Sequence, residues 1–180
     1  KLWVSMHGST FAGDALTGEH LIIQAFDVSA RRLAEGRLQH LAYHDSLTNL
    51  ANRSLLSDRL AQAITGARQN PADQFSLLHL RFERFRQLSD SLGRGVGDRF
   101  LIAIAQRIQA HMRPSDLLAR LEGDDFGILA LHQGGGTQHA RALAERLQQA
   151  FAAPVLIDDT EVQTGASIGI TCSDIGYAVR

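Results

Sequence analysis

The chain has 180 residues, 44% hydrophobic and 21% charged, with a formal net charge of −1 at pH 7. That is enough chain to bury one good core in an ordinary globular domain. The balance argues against the basic footprint of a nucleic-acid binder, and the single Cys172 excludes an intrachain disulfide. No apolar run reaches the length of a membrane span and no signal peptide is visible. A lone cysteine in a β-like run suits a reducing, cytoplasmic compartment and reads as a small core residue. The eight His are scattered without metal-ligand spacing. The chain opens without Met and in mid-pattern, which reads as a piece of a longer protein, and the full-length protein could be anchored in a membrane upstream.

In chain order, Leu2 to Met6 and Leu21 to Phe26 read as strands, joined by a loop from His7 to Glu19. Two strands are not a stable unit alone. Asp27 is a candidate helix N-cap, and residues 29–44 read as a helix with Leu33, Ala34, Leu38 and Leu41 on one side. Its narrow apolar stripe suits a connecting helix that pairs with a partner copy, or a solvated linker. Gly36 weakens it by about 1 kcal/mol. Residues 45–52 form a polar turn. A helix follows with Leu55, Leu56, Leu60, Ala63, Ile64 and Ala67 on its inner face, ended by Asn70-Pro71. Phe75 to Phe82 reads as a central strand. A helical turn carries Phe85, Leu88 and Leu92. The glycine-rich stretch 93–97 breaks it, with Asp98 near the start of a long helix that stops before Pro114. After a hairpin come a loop at residues 134–136, a helix over 137–151 and a strand over 154–157. A turn at Asp158-Asp159 then leads into one strand from Val162 to Cys172. The pattern predicts an α/β sandwich, helices packed on a mostly antiparallel or mixed sheet.

The hairpin carries the most chemistry. Its tip is Glu122-Gly123-Asp124-Asp125, between the apolar runs 117–119 and 126–131. Two adjacent carboxylates repel, and need a metal, a cation or water to offset the cost. The plainer reading is a solvated acidic turn.

Four stretches, in order, resemble the GGDEF (diguanylate cyclase) family. Residues 44–53, His-Asp-Ser-Leu-Thr-Asn-Leu-Ala-Asn-Arg, resemble its opening motif. Phe85 through Gly93 and Gly97-Asp98 resemble its "FKxxND…GHxxGD" stretch. Residues 122–126, Glu-Gly-Asp-Asp-Phe, stand at its signature, and residues 166–170 resemble its "SIGI" strand. Residues 1–29 look like the closing strands of a PAS sensor domain, with residues 25–32 resembling the "DITERK"-type exit. The resemblance implies three parts: a PAS remnant at 1–29, a signalling helix at 30–44, and a GGDEF domain at 45–180 lacking its last helix. The implied fold is palm-like, a nucleotidyl-cyclase or ferredoxin-like sandwich. The implied activity joins two GTP into cyclic di-GMP across two subunits, with carboxylates holding Mg²⁺ that neutralises phosphate and activates a hydroxyl.

The sequence departs from the family at the reacting positions. Arg81 stands where the family has its first metal-binding Asp, and a cation repels Mg²⁺. Glu122 replaces the signature's first Gly, adding bulk and charge where the backbone approaches a nucleotide. Ser89 replaces the guanine-reading Asn, while Asp98 matches the second guanine-reading residue. Asp124 and Asp125 match the metal-binding and second acidic positions, so the GTP half-site by resemblance is Ser89, Asp98, Glu122 and Gly123. Cyclase activity is therefore expected to be lost or very weak, with Mg²⁺ present only if nucleotide binds. Opposite charges predict that Arg81 pairs with Asp124 or Asp125 in place of a metal, or else is simply exposed at a strand end. Arg113 and Asp116 have the spacing of the family's inhibitory RxxD site, which implies cyclic di-GMP binding; taken alone they are a helix-end Arg and a capping Asp. The implied role is a degenerate signalling module that binds cyclic di-GMP or GTP and regulates a linked output domain, such as an EAL phosphodiesterase, with a homodimer through helix 29–44. The alternatives are an active cyclase and a relay that binds nothing. A palm acting on nucleic acid is disfavoured by the lack of basic charge.

Overall fold

The computed structural model describes residues 2–12, 19–83, 85–158 and 160–175. The chain divides into two compact units, Lys1–Ala42 and Tyr43–Arg180.

In the first unit, β1 (Val4–Ala12) and β2 (Glu19–Asp27) form an antiparallel ribbon, with Val4 opposite Asp27 and Gly8 opposite Ile23. β1 thus runs through His7 to Ala12, where the sequence suggested a loop. The polar and glycine residues there are held by backbone pairing to an apolar strand, a partner that local composition does not reveal. The rest of the expected loop, residues 13–18, lies outside the described residues. Helix α1 (Ser29–Tyr43) follows. Asp27 Oδ1 accepts from the Ser29 amide at 2.9 Å, so its carboxylate caps the helix start as expected. Arg32 stacks over the Trp3 ring at 4.8 Å. Leu33, Leu38 and Leu41 are exposed.

The second unit is the α/β sandwich. Its sheet has the order β4-β5-β3-β8, built from β3 (Asp73–Phe82), β4 (Leu117–Glu122), β5 (Asp125–Gln133) and β8 (Ala166–Cys172), with every ladder antiparallel. The mixed character allowed for in the sequence reduces to one isolated parallel bridge, Ala51 to Ala119. β3 is central because it is paired along both edges, to β5 and to β8. Leu78, Leu80 and Phe82 point into the main core with Phe100, Ile104 and Ile108 of α4 (Arg94–Gln109) and Leu143, Leu147 and Phe151 of α5 (Gly136–Ala152). Phe75 and Leu77 point to the other face, where α2 (Arg53–Gln69) packs through Leu55, Leu56 and Leu60. Asn52 caps α2 by accepting from Leu55 N at 3.1 Å. Along that second face β3 reads Phe75, Leu77, His79, Arg81. It is apolar where α2 covers it, and exposed and polar beyond.

Two elements differ from the sequence reading. Helix α4 begins at Arg94, directly after α3 (Phe85–Leu92), so the break is confined to Gly93 at φ +86°. Gly97 is helical and buried; a Cβ there would stand 3.1 Å from Ser89 Oγ, so the close approach of α3 and α4 needs a glycine. The final hairpin is not one long strand. β6 (Val155–Ile157) pairs with β7 (Thr160–Val162), and β8 starts only at Ala166. Of the turn between β6 and β7, Asp158 is described, at φ +54°, and Asp159 lies outside the described residues. Cys172 is free and buried. Among the described residues no helix is long and apolar enough to cross a membrane.

Candidate functional site

The tip of the β4–β5 hairpin stands beside the uncovered end of β3. Gly123 takes φ +54°, and Glu122 pairs with Asp125 after a bulge past Arg120. The register sets Arg81 directly opposite Asp125. The two form a forked pair: Arg81 Nε donates to Asp125 Oδ1 at 2.7 Å and Nη2 to Oδ2 at 2.9 Å. His79 Nε2 lies 3.7 Å from the same Oδ1. The Arg81 hydrogen bonds hold the Asp125 carboxyl below the usual carboxylate range despite partial burial, with smaller help from His79 and Arg53. Asp125 in turn raises the Arg81 guanidinium, and Asp124 adds to this through its charge. Asp124 itself makes no hydrogen bond to Arg81. The cation that the paired acids call for is thus supplied by the chain, and it selects Asp125.

A second arginine braces the tip from behind. Arg120 Nε and Nη2 both donate to the Gly123 carbonyl, at 3.0 and 2.9 Å, and Nη1 donates to Asp45 Oδ1 and Oδ2 at 3.1 and 3.2 Å. Asp45 also accepts from the Thr48 amide at 2.8 Å and hydroxyl at 2.7 Å. The turn holding Asp45 is docked on the β4 edge by Arg120 N to Ala51 O, 2.9 Å. Sequence reasoning missed this brace, as it missed His79 and Arg53. Asp45 and Arg120 sat in quoted motifs, but nothing local links residues so far apart in the chain. Burial raises the Asp45 carboxyl, and the Thr48 hydrogen bonds with Arg120 outweigh it, so the net shift is downward. A lowered carboxyl stabilises the fold above its unfolded value, about 3.9, and that contribution is lost as pH falls through the lower folded value. Arg120→Met is expected to unfold at higher pH than the parent in an acid titration followed by circular dichroism; coincident curves would contradict the brace.

Mg²⁺, which the family resemblance implies, does not fit these residues. Its partner position holds Arg81, Asp125 is already paired, and among the described residues no group of three His, Cys, Asp or Glu could hold a metal ion. Ser89 and Asp98 lie on the facing helices α3 and α4, and no hydrogen bond or ion pair among the described residues joins either to the hairpin tip.

Arg113 and Asp116 are brought together before β4. Asp116 Oδ2 accepts from the Arg113 amide at 2.9 Å, and the Asp116 amide donates to the Arg113 carbonyl at 3.0 Å. This turn leaves Asp116 Oδ1 open to accept. The Arg113 guanidinium has no hydrogen bond or ion pair among the described residues. The two line a hollow of about 450 Å³ against Asn49 and Met112. They also line a smaller cavity of about 110 Å³ with His132, His139 and Arg146.

A four-stranded antiparallel sheet, a signature hairpin at its edge and a braced opening turn define a nucleotidyl-cyclase type of domain. Residues 42–178 match the family described as diguanylate cyclase, GGDEF domain, and the chain belongs to that family. Among its relatives, the diguanylate cyclase TpbB of Pseudomonas aeruginosa is 39% identical over 134 residues, covering 74% of this chain and 30% of TpbB. MucR of the same organism, a bifunctional diguanylate cyclase and cyclic di-GMP phosphodiesterase, is 41% identical over 137 residues, 76% of this chain and 20% of MucR. The chain thus spans less than a third of these relatives. A solved structure of the TpbB GGDEF domain superimposes with a TM-score of 0.67 at 37% identity, covering 72% of this chain and 75% of that one.

Proposed function

We propose that this chain is a GGDEF domain of a cyclic di-GMP signalling protein that has lost cyclase chemistry and serves as a binding module. One contrast carries the reading. The hairpin carboxylate is already neutralised from within by Arg81, whereas Arg113 stands unpaired beside an Asp116 oxygen still able to accept. A guanidinium fork suits a guanine edge or a phosphate, and a carboxylate accepts from guanine N–H groups. Cyclic di-GMP at Arg113 and Asp116 is therefore the first ligand of this proposal. GTP at Ser89, Asp98, Glu122 and Gly123 is the second, with Mg²⁺ arriving only on the nucleotide. In this reading residues 1–29 close a PAS sensor domain, residues 30–44 are the signalling helix, and residues 45–180 are the GGDEF domain of a cytoplasmic module. The exposed Leu33, Leu38 and Leu41 support pairing of α1 with a second copy. A linked phosphodiesterase, as MucR's description names, is a candidate output.

Calorimetric titration of cyclic di-GMP is expected to show low-micromolar binding, about 8 kcal/mol. Arg113→Ala should abolish it. Absence of heat with the unaltered chain would remove cyclic di-GMP and make GTP the next titrant. A second reading, an active cyclase, is favoured by the identity to TpbB and MucR, both described as cyclases. It predicts GTP turnover that is abolished by Asp124→Ala.

A further inference from the structure

His132 is the one polar side chain of the described core whose hydrogen bonding is incomplete. It sits on β5 below the start of α5, 9% exposed. Its Nε2 lies 3.0 Å from Ser76 Oγ. Ser76 directs its single proton to the Gly136 carbonyl at 3.2 Å or the Cys172 thiol at 3.4 Å. This arrangement assigns the ring proton to Nε2, donating to Ser76, and leaves Nδ1 as a bare buried nitrogen. Nδ1 has no partner. The neutral ring is tolerated there, but a second proton would place a charged donor in a buried site with no acceptor.

Charged groups converge on this ring from several elements. His139 of α5 stacks on it with centroids 5.2 Å apart. The His139 Nδ1–H donates to the Gly135 carbonyl at 2.9 Å, which fixes that ring's orientation. Arg113 and Asp116, from the turn before β4, and Arg146 of α5 share a cavity of about 110 Å³ with both histidines. Asp174, from the short turn after β8, faces the start of α5, where Thr137 Oγ1 donates to it at 2.9 Å. On its other side His132 borders an open groove of about 670 Å³, whose further charges are Arg59 of α2 and Asp73 of β3. Cys172 of β8 meets the ring only through Ser76.

We propose that His132, stacked on His139, is a proton-linked sensor of the charge held at Arg113 and Asp116. Burial pushes the His132 imidazolium down, and His139 and Arg113 push the same way, against Asp116 and Asp174. These groups together favour the neutral ring. A dianionic cyclic dinucleotide seated in the larger hollow of about 450 Å³ that Arg113 and Asp116 also line cancels the field of Arg113 and adds negative charge near His132. That favours a proton, so binding takes one up and tightens as pH falls below neutrality. The choice of ligand rests on the proposed function above, whereas the coupling of that charge to His132 does not.

The first test needs no ligand. Imidazole resonances are followed through a pH titration of the unaltered chain, Arg113→Ala and Asp116→Asn. The His132 midpoint is expected to rise without Arg113 and to fall without the Asp116 charge. A midpoint that stays put in both variants overturns the proposal, whatever the chain binds. The second test is calorimetry of cyclic di-GMP at about pH 6 in two buffers of different ionisation heat. Net proton uptake is expected, and should be lost in His132→Gln. Binding without proton uptake overturns the proposal. Absence of binding in both buffers overturns the cyclic di-GMP reading, and the ligand-free titration then decides the coupling alone.

Discussion

Arg81→Asp is expected to create a divalent-cation site at the hairpin tip, in the place that Arg81 occupies in the parent. Position 81 faces position 125 across the β3–β5 ladder, and Arg81 feels the charge of Asp124. The substitution replaces a forked cation by a third carboxylate at the tip. Three carboxylates in one place repel unless a cation joins them, and a hard cation takes several oxygens. Mn²⁺ binding, read from loss of the free-ion paramagnetic signal, should be at least about tenfold tighter in the variant than in the parent. The variant should also melt lower than the parent without metal and recover when Mn²⁺ is added. Arg81→Met frees Asp125 without adding a ligand, so it should gain no such site. Equal Mn²⁺ affinity in the parent and Arg81→Asp would show that Arg81 does not stand in for a metal.

The largest loss of stability is expected from Phe82→Ala. Phe82 is buried next to Arg81 in sequence and points to the opposite face of β3. Its ring meets three others edge-on: Phe151 at 5.0 Å, Phe126 at 5.8 Å and Phe100 at 6.0 Å. Those partners come from α5, β5 and α4, so one side chain ties both main helices to the hairpin strand. Deleting a buried Phe costs about 3–5 kcal/mol, transfer and cavity together. With roughly 2–4 °C per kcal/mol for a chain of this size, the melting temperature should fall by about 6–20 °C. Phe82→Leu keeps most of the volume and should fall less. A drop under about 1 kcal/mol for the Ala variant would mean that the site collapses around the gap.

Much of the architecture was legible because helical periodicity is a local property. Residues 53–69 and 136–152 repeat apolar residues at helical spacing, and both are helices within a residue or two of expectation. The errors share a cause. Gly8, Ser9 and Thr10 read as loop, yet they are strand because Ile23, Ile22 and Leu21 lie opposite them. Val162 merged with the following strand in the sequence, though it ends the separate three-residue β7, because so short a strand has too few alternations to separate itself. The glycines after Gly93 read as a break, yet Gly97 is the residue that lets α3 approach α4. In each case the pairing or packing partner, and not the residue's own propensity, decided the element.

The site divides along the same line. The sequence by itself determined the family, the order of the motifs and the residue types: a cation at position 81, paired acids at the hairpin tip, and an Arg and an Asp three apart before β4. Residue type and spacing are written in the chain. Only the tertiary structure decided which acid Arg81 takes, because that depends on a register in which one residue of slip would exchange the faces of the strand. It alone joined Asp45 to Arg120, and it alone placed His132 with a bare nitrogen beside Arg113. Contacts of that kind are set by how strands pair and helices cover them, which no local pattern encodes.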